Sequence, residues 1–189
     1  MLFRSGTRHD ITRASTPFTL MRTVPAGSLM TVTVERDGVT QDLSFDSIAV
    51  SATEPGSKLG IYLTVDPSLP VDISFNLEGV GGPSAGMMFS LGIIDRLTPG
   101  DMTGGNAIAG TGTMSFDGQV GAIGGIQQKL WGAHDDGAQW FLAPAENCSE
   151  VVGHVPDGLN VVKVSNLSEA ATAVATIAEG NGATLPTCQ

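Results

Sequence analysis

A mixed α/β fold is predicted for this chain of 189 residues. Three observations support it. Stretches with the period-two alternation of a half-buried strand are interspersed with longer apolar stretches of helical character. Breaks containing glycine and proline divide them at short intervals. Strands and helices alternate irregularly, which favours a mixed domain over a regular doubly wound sheet.

The first strand is carried by Met30, Val32 and Val34, which alternate with Thr31, Thr33 and Glu35. Asp37-Gly38 supplies a hairpin turn, because both residues tolerate positive φ. Val39, Gln41, Leu43 and Phe45 continue in step on the return strand. With the short Pro17 to Arg22 segment this makes a unit ending near Asp46, too small to hold a core alone. Ser51 to Lys58 is a polar connector containing Pro55-Gly56. Two strands are expected beyond it, Leu59 to Val65 and Val71 to Leu77.

Gly79 to Gly82 leads into an apolar helix from Pro83 to Leu97, stopped by Pro99-Gly100. Pro83 suits a first helical turn, where its missing N–H would be unpaired in any case. Asn106 to Val120 reads as a hairpin turning at Asp117-Gly118, and Gly121 to Gly125 as a loop. A helix follows from Ile126 to about His134. Trp140 to Leu142 and Asn160 to Val164 read as strands, and Ser168 to Glu179 as a last helix stopped by Gly180. The expected division is a small segment over 1–50 and a main domain over 51–189.

The chain is 41% hydrophobic and 15% charged, too apolar for a disordered chain and too poor in charge for a coiled coil. Nine Lys and Arg against 19 Asp and Glu leave a net charge of −10. An acidic chain repels phosphate backbones, so nucleic acid and anionic membrane surfaces are poor partners. No run approaches the roughly 18 apolar residues of a transmembrane helix. Gly86 to Ile94 is shorter and is interrupted by Ser90 and Gly92. The N-terminus shows no apolar signal core, and its opening residues read as cut into a longer chain.

Cys148 and Cys188 are the only cysteines and would pair in an oxidising compartment. With three scattered histidines they match no zinc-ligand spacing, and no metal or cofactor is expected. Asp95, Asp101 and Asp117 suit turns and caps. None of the three lysines follows a glycine, so there is no phosphate loop and ATP binding is not expected. Gly79 to Ser84 only half-matches a dinucleotide fingerprint.

Gly82-Pro83-Ser84-Ala85-Gly86 fits the pattern G-x-S-x-G. A serine where a glycine-rich loop enters a helix can meet unpaired N–H groups able to stabilise an oxyanion. The bland alternative is an ordinary helix cap. An α/β-hydrolase would need a histidine base. His134 and His154 follow Ser84 but sit among polar loop residues, and His9 lies near the start. Lys129 lies on the helix carrying Ile126, Leu130 and Ala133, so its stem borders an apolar stripe. Desolvation disfavours an ammonium ion, which is what a neutral general base requires. The bland alternative is a lysine snorkelling at a helix edge.

These blocks, taken in order, resemble the proteolytic domain of Lon proteases. The matching text is Gly82-Pro83-Ser84-Ala85-Gly86, Gly110-Thr111-Gly112, Gly118-Gln119-Val120 and Ile123-Gly124-Gly125-Ile126-Gln127-Gln128-Lys129. Gly137-Ala138 and Pro144 through Asn147 extend it. The separation of 45 positions between Ser84 and Lys129 suits that family's serine–lysine dyad. The resemblance implies a serine endopeptidase with Ser84 as nucleophile and Lys129 as base. It also implies that Thr111 steadies the amine. Gly82 and Ala85 are the expected oxyanion donors through their backbone N–H groups, on loop geometry rather than on the motif.

The chain departs from the family at two points. The given residues contain no match to the ATP-driven unfoldase of many members, so the expected substrate is an unfolded or extended polypeptide. Many members place an acidic residue three positions before the serine, where this chain has Gly81. That gives some weight to a catalytically silent peptide-binding or scaffolding module of the same fold. The N-terminal hairpin resembles the C-terminal half of a PDZ domain, as in membrane-anchored, PDZ-bearing Lon-like proteases of bacteria. The resemblance further implies an extracytoplasmic location, an anchor preceding the given sequence, and a hexameric ring.

Overall fold

A computed structural model describes residues 2–5, 7–51, 55–62, 71–75 and 82–189. The chain separates into two compact units, Met1–Phe75 and Asn76–Gln189. The mixed α/β class expected from the sequence is what forms.

The first unit is a four-stranded antiparallel sheet in the order β2-β1-β3-β4. Its strands are β1 (Leu2–Ser5), β2 (Thr7–Asp10), β3 (Leu29–Arg36) and β4 (Val39–Asp46). Asp37 at φ 52° and Gly38 at φ 75° form the expected hairpin turn. Both central residues with positive φ match the twist of the flanking strands. Met30 and Val32 from β3 join Met21 of helix α1 (Thr16–Met21) and Val24 in a small buried cluster. The unit also contains a short ribbon of β5 (Ile48–Ala49) and β6 (Ser57–Lys58).

The strands expected over 59–65 and 71–77 are not found where the chain is described. Residues 59–62 and 71–75 form no strand, and 63–70, 76 and 77 lie outside the described residues. Alternating side chains there supplied a strand pattern, but Ile61, Tyr62, Val71, Ile73 and Phe75 are exposed. A period-two pattern forms a strand only when one of its faces is covered.

The second unit is built on a three-stranded sheet with β10 (Trp140–Pro144) between β7 (Ile108–Gly110) and β11 (Asn160–Val164). Both pairings are parallel. Side-chain alternation along β10 and β11 feeds two cores, one on each face. Leu142, Val162 and Val164 pack with Met87 and Leu91 of α2 (Gly86–Leu97) and with α5 (Leu167–Ala178). Phe141, Ala143 and Val161 pack with Ile126 and Leu130 of α3 (Ile126–Asp135) and Val151 of α4 (Cys148–Val151). Leu142 is completely buried, and truncating such a side chain to alanine costs about 2–5 kcal/mol.

The hairpin expected over 106–120 forms only in part. Its first strand, β7, pairs with β10 instead, and the hairpin proper is β8 (Thr113–Met114) with β9 (Val120–Gly121). Parallel pairing is set by a distant segment and leaves no local turn signal. Asn166 caps α5 by accepting from the Glu169 N–H at 2.9 Å, and Gly180 at φ 78° ends it as expected. Cys148 and Cys188 are joined by a disulfide.

Candidate active site

Ser84 lies in a 3₁₀ turn, Pro83–Ala85, that runs directly into α2. Gly82 precedes it at φ 84°. A Cβ there would meet nothing within 4 Å, so glycine serves the backbone conformation and leaves its peptide approachable. Gly81, the position where an acidic residue was weighed, lies outside the described residues.

The Ser84 backbone is held from the carboxyl end of β7. Its carbonyl accepts from the Gly112 N–H at 2.8 Å and from the Thr111 hydroxyl at 2.9 Å. The Gly112 carbonyl in turn accepts from the Met87 N–H at 3.1 Å. These bonds stitch the Gly110-Thr111-Gly112 segment to the serine turn, and both glycines are needed for space. A Cβ on Gly110 would lie 2.6 Å from Met88 Sδ, and one on Gly112 would lie 2.6 Å from Val120 Cγ1. Thr111 is 2% exposed. Its hydroxyl proton is committed to Ser84, while its oxygen lone pairs can still accept a bond.

Lys129 lies one turn into α3, its N–H bonded to the Gly125 carbonyl at 3.3 Å. Gly125 adopts the left-handed conformation at φ 72°, and no side chain caps the helix. Lys129 is exposed. The shielding expected from its apolar neighbours is therefore not present. Ile126 and Leu130 turn fully into the core, and Lys129, between them in sequence, is carried round to the solvent side.

Ser84 leads into α2 and Lys129 lies on α3, helices packed on opposite faces of the sheet, and the segments that precede both helices are bonded at its carboxyl edge. Ser84 is bonded to residues just beyond β7. The loop before α3 is bonded to Glu146 and Asn147, just beyond β10. In open α/β sheets this edge is where ligands bind. Among the described residues, neither Ser84 Oγ nor Lys129 Nζ has a hydrogen-bond partner, so no bond joins the two.

The histidines are placed elsewhere. His134 Nδ1 faces Asp135 at 3.2 Å, and its ring meets Trp131 edge-on. His154 Nδ1 faces the Val152 carbonyl at 3.1 Å. Neither is bonded to Ser84. Among the described residues no cluster of His, Cys, Asp or Glu is arranged to hold a metal ion, and no helix is long and apolar enough to cross a membrane.

Glu146 and Asn147 form a polar arrangement against the loop before α3 to which no sequence motif assigns a role. They appeared only as text matching the family. A buried asparagine gives no sequence signal that separates it from a loop residue, and only its contacts distinguish it.

The family profile of the Lon protease (S16) C-terminal proteolytic domain matches residues 78–176, just over half the chain. The chain belongs to the Lon protease family. It is 35% identical over 91 residues to a Lon protease of Buchnera aphidicola subsp. Schizaphis graminum, covering 47% of this chain and 12% of that one. Lon protease 2 of Bacillus subtilis is 33% identical over 103 residues, 52% of this chain and 18% of its own. The Lon protease of Nitratidesulfovibrio vulgaris is 28% identical over 184 residues, 88% of this chain and 22% of its own. The chain thus spans a quarter or less of the length of these relatives. The profile spans Ser84, Thr111, Lys129 and Asn147 alike.

Proposed function

We propose that this Lon-family chain is a serine-type endopeptidase domain in which Ser84 and Lys129 form the catalytic dyad. The observation that carries the reading is the anchoring of Ser84. Its carbonyl is fixed by Thr111 and Gly112 at the mouth of α2, while its hydroxyl is left unbonded. A nucleophile needs its backbone fixed and its hydroxyl available.

In the proposed reaction, Ser84 Oγ attacks the peptide carbonyl carbon and its proton passes to uncharged Lys129. The carbonyl oxygen becomes an oxyanion held by backbone N–H groups, for which Gly82 and Ala85 are our candidates. The C–N bond then breaks, and the leaving amine takes the proton from Lys129. Water, deprotonated by the same amine, hydrolyses the acyl-enzyme. The lone pairs of Thr111 Oγ1 accept from the Lys129 amine as it moves in. Because Lys129 is exposed here, bound substrate excludes water from it.

The substrate in this reading is an unfolded or extended polypeptide, cleaved without ATP. Residues 1–50 are a partial PDZ-like segment, and the domain assembles into a homo-oligomeric ring. The Cys148–Cys188 bond suits an oxidising, extracytoplasmic setting. A second reading, a silent peptide-binding or scaffolding module, draws on the absence of a bond between Ser84 and Lys129. Cleavage of casein by wild type, Ser84→Ala and Lys129→Ala separates the two. The dyad predicts loss on the order of 10³-fold or more in each variant with the fold retained. Undiminished cleavage by either variant would remove it.

A further inference from the structure

Taking an asparagine amide out of water is costly unless both of its ends are bonded. Asn147 is 1% exposed, and its amide is fully engaged. Oδ1 accepts from the Ile123 N–H at 3.0 Å, and Nδ2 donates to the Ile123 carbonyl at 3.0 Å. Nδ2 also donates to Glu150 Oε1 at 2.7 Å. Glu146 Oε2, one residue earlier, accepts from the Ala122 N–H at 3.0 Å. Two consecutive side chains therefore grip two consecutive residues of the loop before α3.

From these contacts we infer that Asn147, aided by Glu146, is a positioning residue that sets the place of Lys129 by clamping the loop from which α3 hangs. The inference rests on the proposed role of Lys129. A two-point contact to one residue's N–H and C=O fixes its rotation as well as its position, as a strand partner would. The Ile123 side chain is itself buried, which adds a third restraint.

The start of α3 is otherwise held by the buried Ile126 side chain and by Gln127 Nε2, which donates to the Glu150 carbonyl at 3.2 Å. The helix has no side-chain cap, and its N-cap Gly125 imposes no rotamer of its own. The Gly125 carbonyl receives the Lys129 N–H. A shift of residues 122–125 is therefore passed to Lys129 through a single hydrogen-bonded turn. The clamp is itself anchored, since the residue after Asn147 is covalently joined to Cys188. Misplacing a catalytic group by about 1 Å can cost on the order of 100-fold in rate. Holding this loop is thus a catalytic requirement as well as a packing one.

The test uses the whole chain, with casein cleavage resolved into kcat and KM and with hydrogen exchange at the Ile123 amide. Asn147→Ala is expected to lower kcat on the order of 10- to 100-fold, with KM little changed and Ile123 protection lost. Glu146→Ala, at an exposed position, should lower kcat by less, and Glu146→Gln should restore it because its amide oxygen still accepts from Ala122. Should Asn147→Ala not fold, the Glu146 pair decides alone. Wild-type kcat in a folded Asn147→Ala, or in Glu146→Ala, would overturn the inference while leaving the dyad standing. Lys129→Ala is run alongside, and undiminished cleavage by that variant would overturn the dyad and this inference together.

Discussion

The hydroxyl of Thr111, 2% exposed, donates to the carbonyl of Ser84 across 2.9 Å. This bond ties the end of β7 to the turn that carries the proposed nucleophile. It makes the Gly110-Thr111-Gly112 segment part of the site's scaffold, even though Thr111 is 27 positions from Ser84 in sequence.

Replacing Thr111 by valine keeps the volume and removes the donor. Because the Ser84 carbonyl retains its bond from Gly112, the stability cost is expected at about 1 kcal/mol. Casein cleavage should fall more than that cost alone explains, and Thr111→Ser should recover most of it. Urea denaturation and turnover measured on both variants check this. A Thr111→Val variant with unchanged turnover would assign the residue to packing.

Gly112→Ala should be worse. The added Cβ meets Val120 Cγ1 at 2.6 Å, so either Val120 or the Gly112 backbone must move. Overpacking of this kind costs about 1–3 kcal/mol. Moving Gly112 also weakens its bonds to Ser84 and to Met87 of α2. The expected outcome is a lowered melting temperature together with slowed turnover, and a neutral variant would show that the packing relaxes freely.

The Cys148–Cys188 bond closes a 40-residue separation. Replacing both cysteines by serine should lower stability by about 2–4 kcal/mol, read from chemical denaturation. Thiol counting under denaturing, non-reducing conditions should find no free thiol in the wild type. Two free thiols would contradict the pairing and the oxidising location proposed with it.

The Asp101 carboxylate accepts from the Thr103 N–H at 2.9 Å and from the Thr103 hydroxyl at 3.0 Å. The Thr103 backbone bond, then its side-chain bond, hold the carboxyl below its ordinary value of 3.8. A group depressed in the folded state stabilises above its unfolded pKa and loses that contribution as pH falls through the folded one. The loss therefore begins near 3.8 and is complete below the lowered folded value. Asp101→Asn should destabilise at neutral pH and show a smaller difference from wild type at about pH 3. An equal difference at both would refute the assignment.

How much of this was legible in the sequence depended on how local each determinant is. The Asp37-Gly38 turn, the helical turn at Pro83 that leads into α2 and the stop of α2 at Leu97 were all readable, because glycine, proline and periodicity act over a few residues. The partner of β7 was not, since parallel pairing with β10 depends on a strand some thirty residues away. The exposure of Lys129 was also hidden. A neighbouring apolar stripe shows which side faces the core, but not how far round the helix solvent reaches. Ser84, Thr111 and Lys129 were found as candidates by motif. The clamp at Asn147 could be recognised only once its amide was seen against Ile123.

The central claim is that Lys129 makes Ser84 a nucleophile, and covalent labelling with a fluorophosphonate probe tests it most directly. The account predicts that wild type labels at Ser84, that Ser84→Ala does not label, and that Lys129→Ala labels far more slowly while remaining folded. A wild-type protein that does not react, or a Lys129→Ala variant that reacts as fast as wild type, would contradict it.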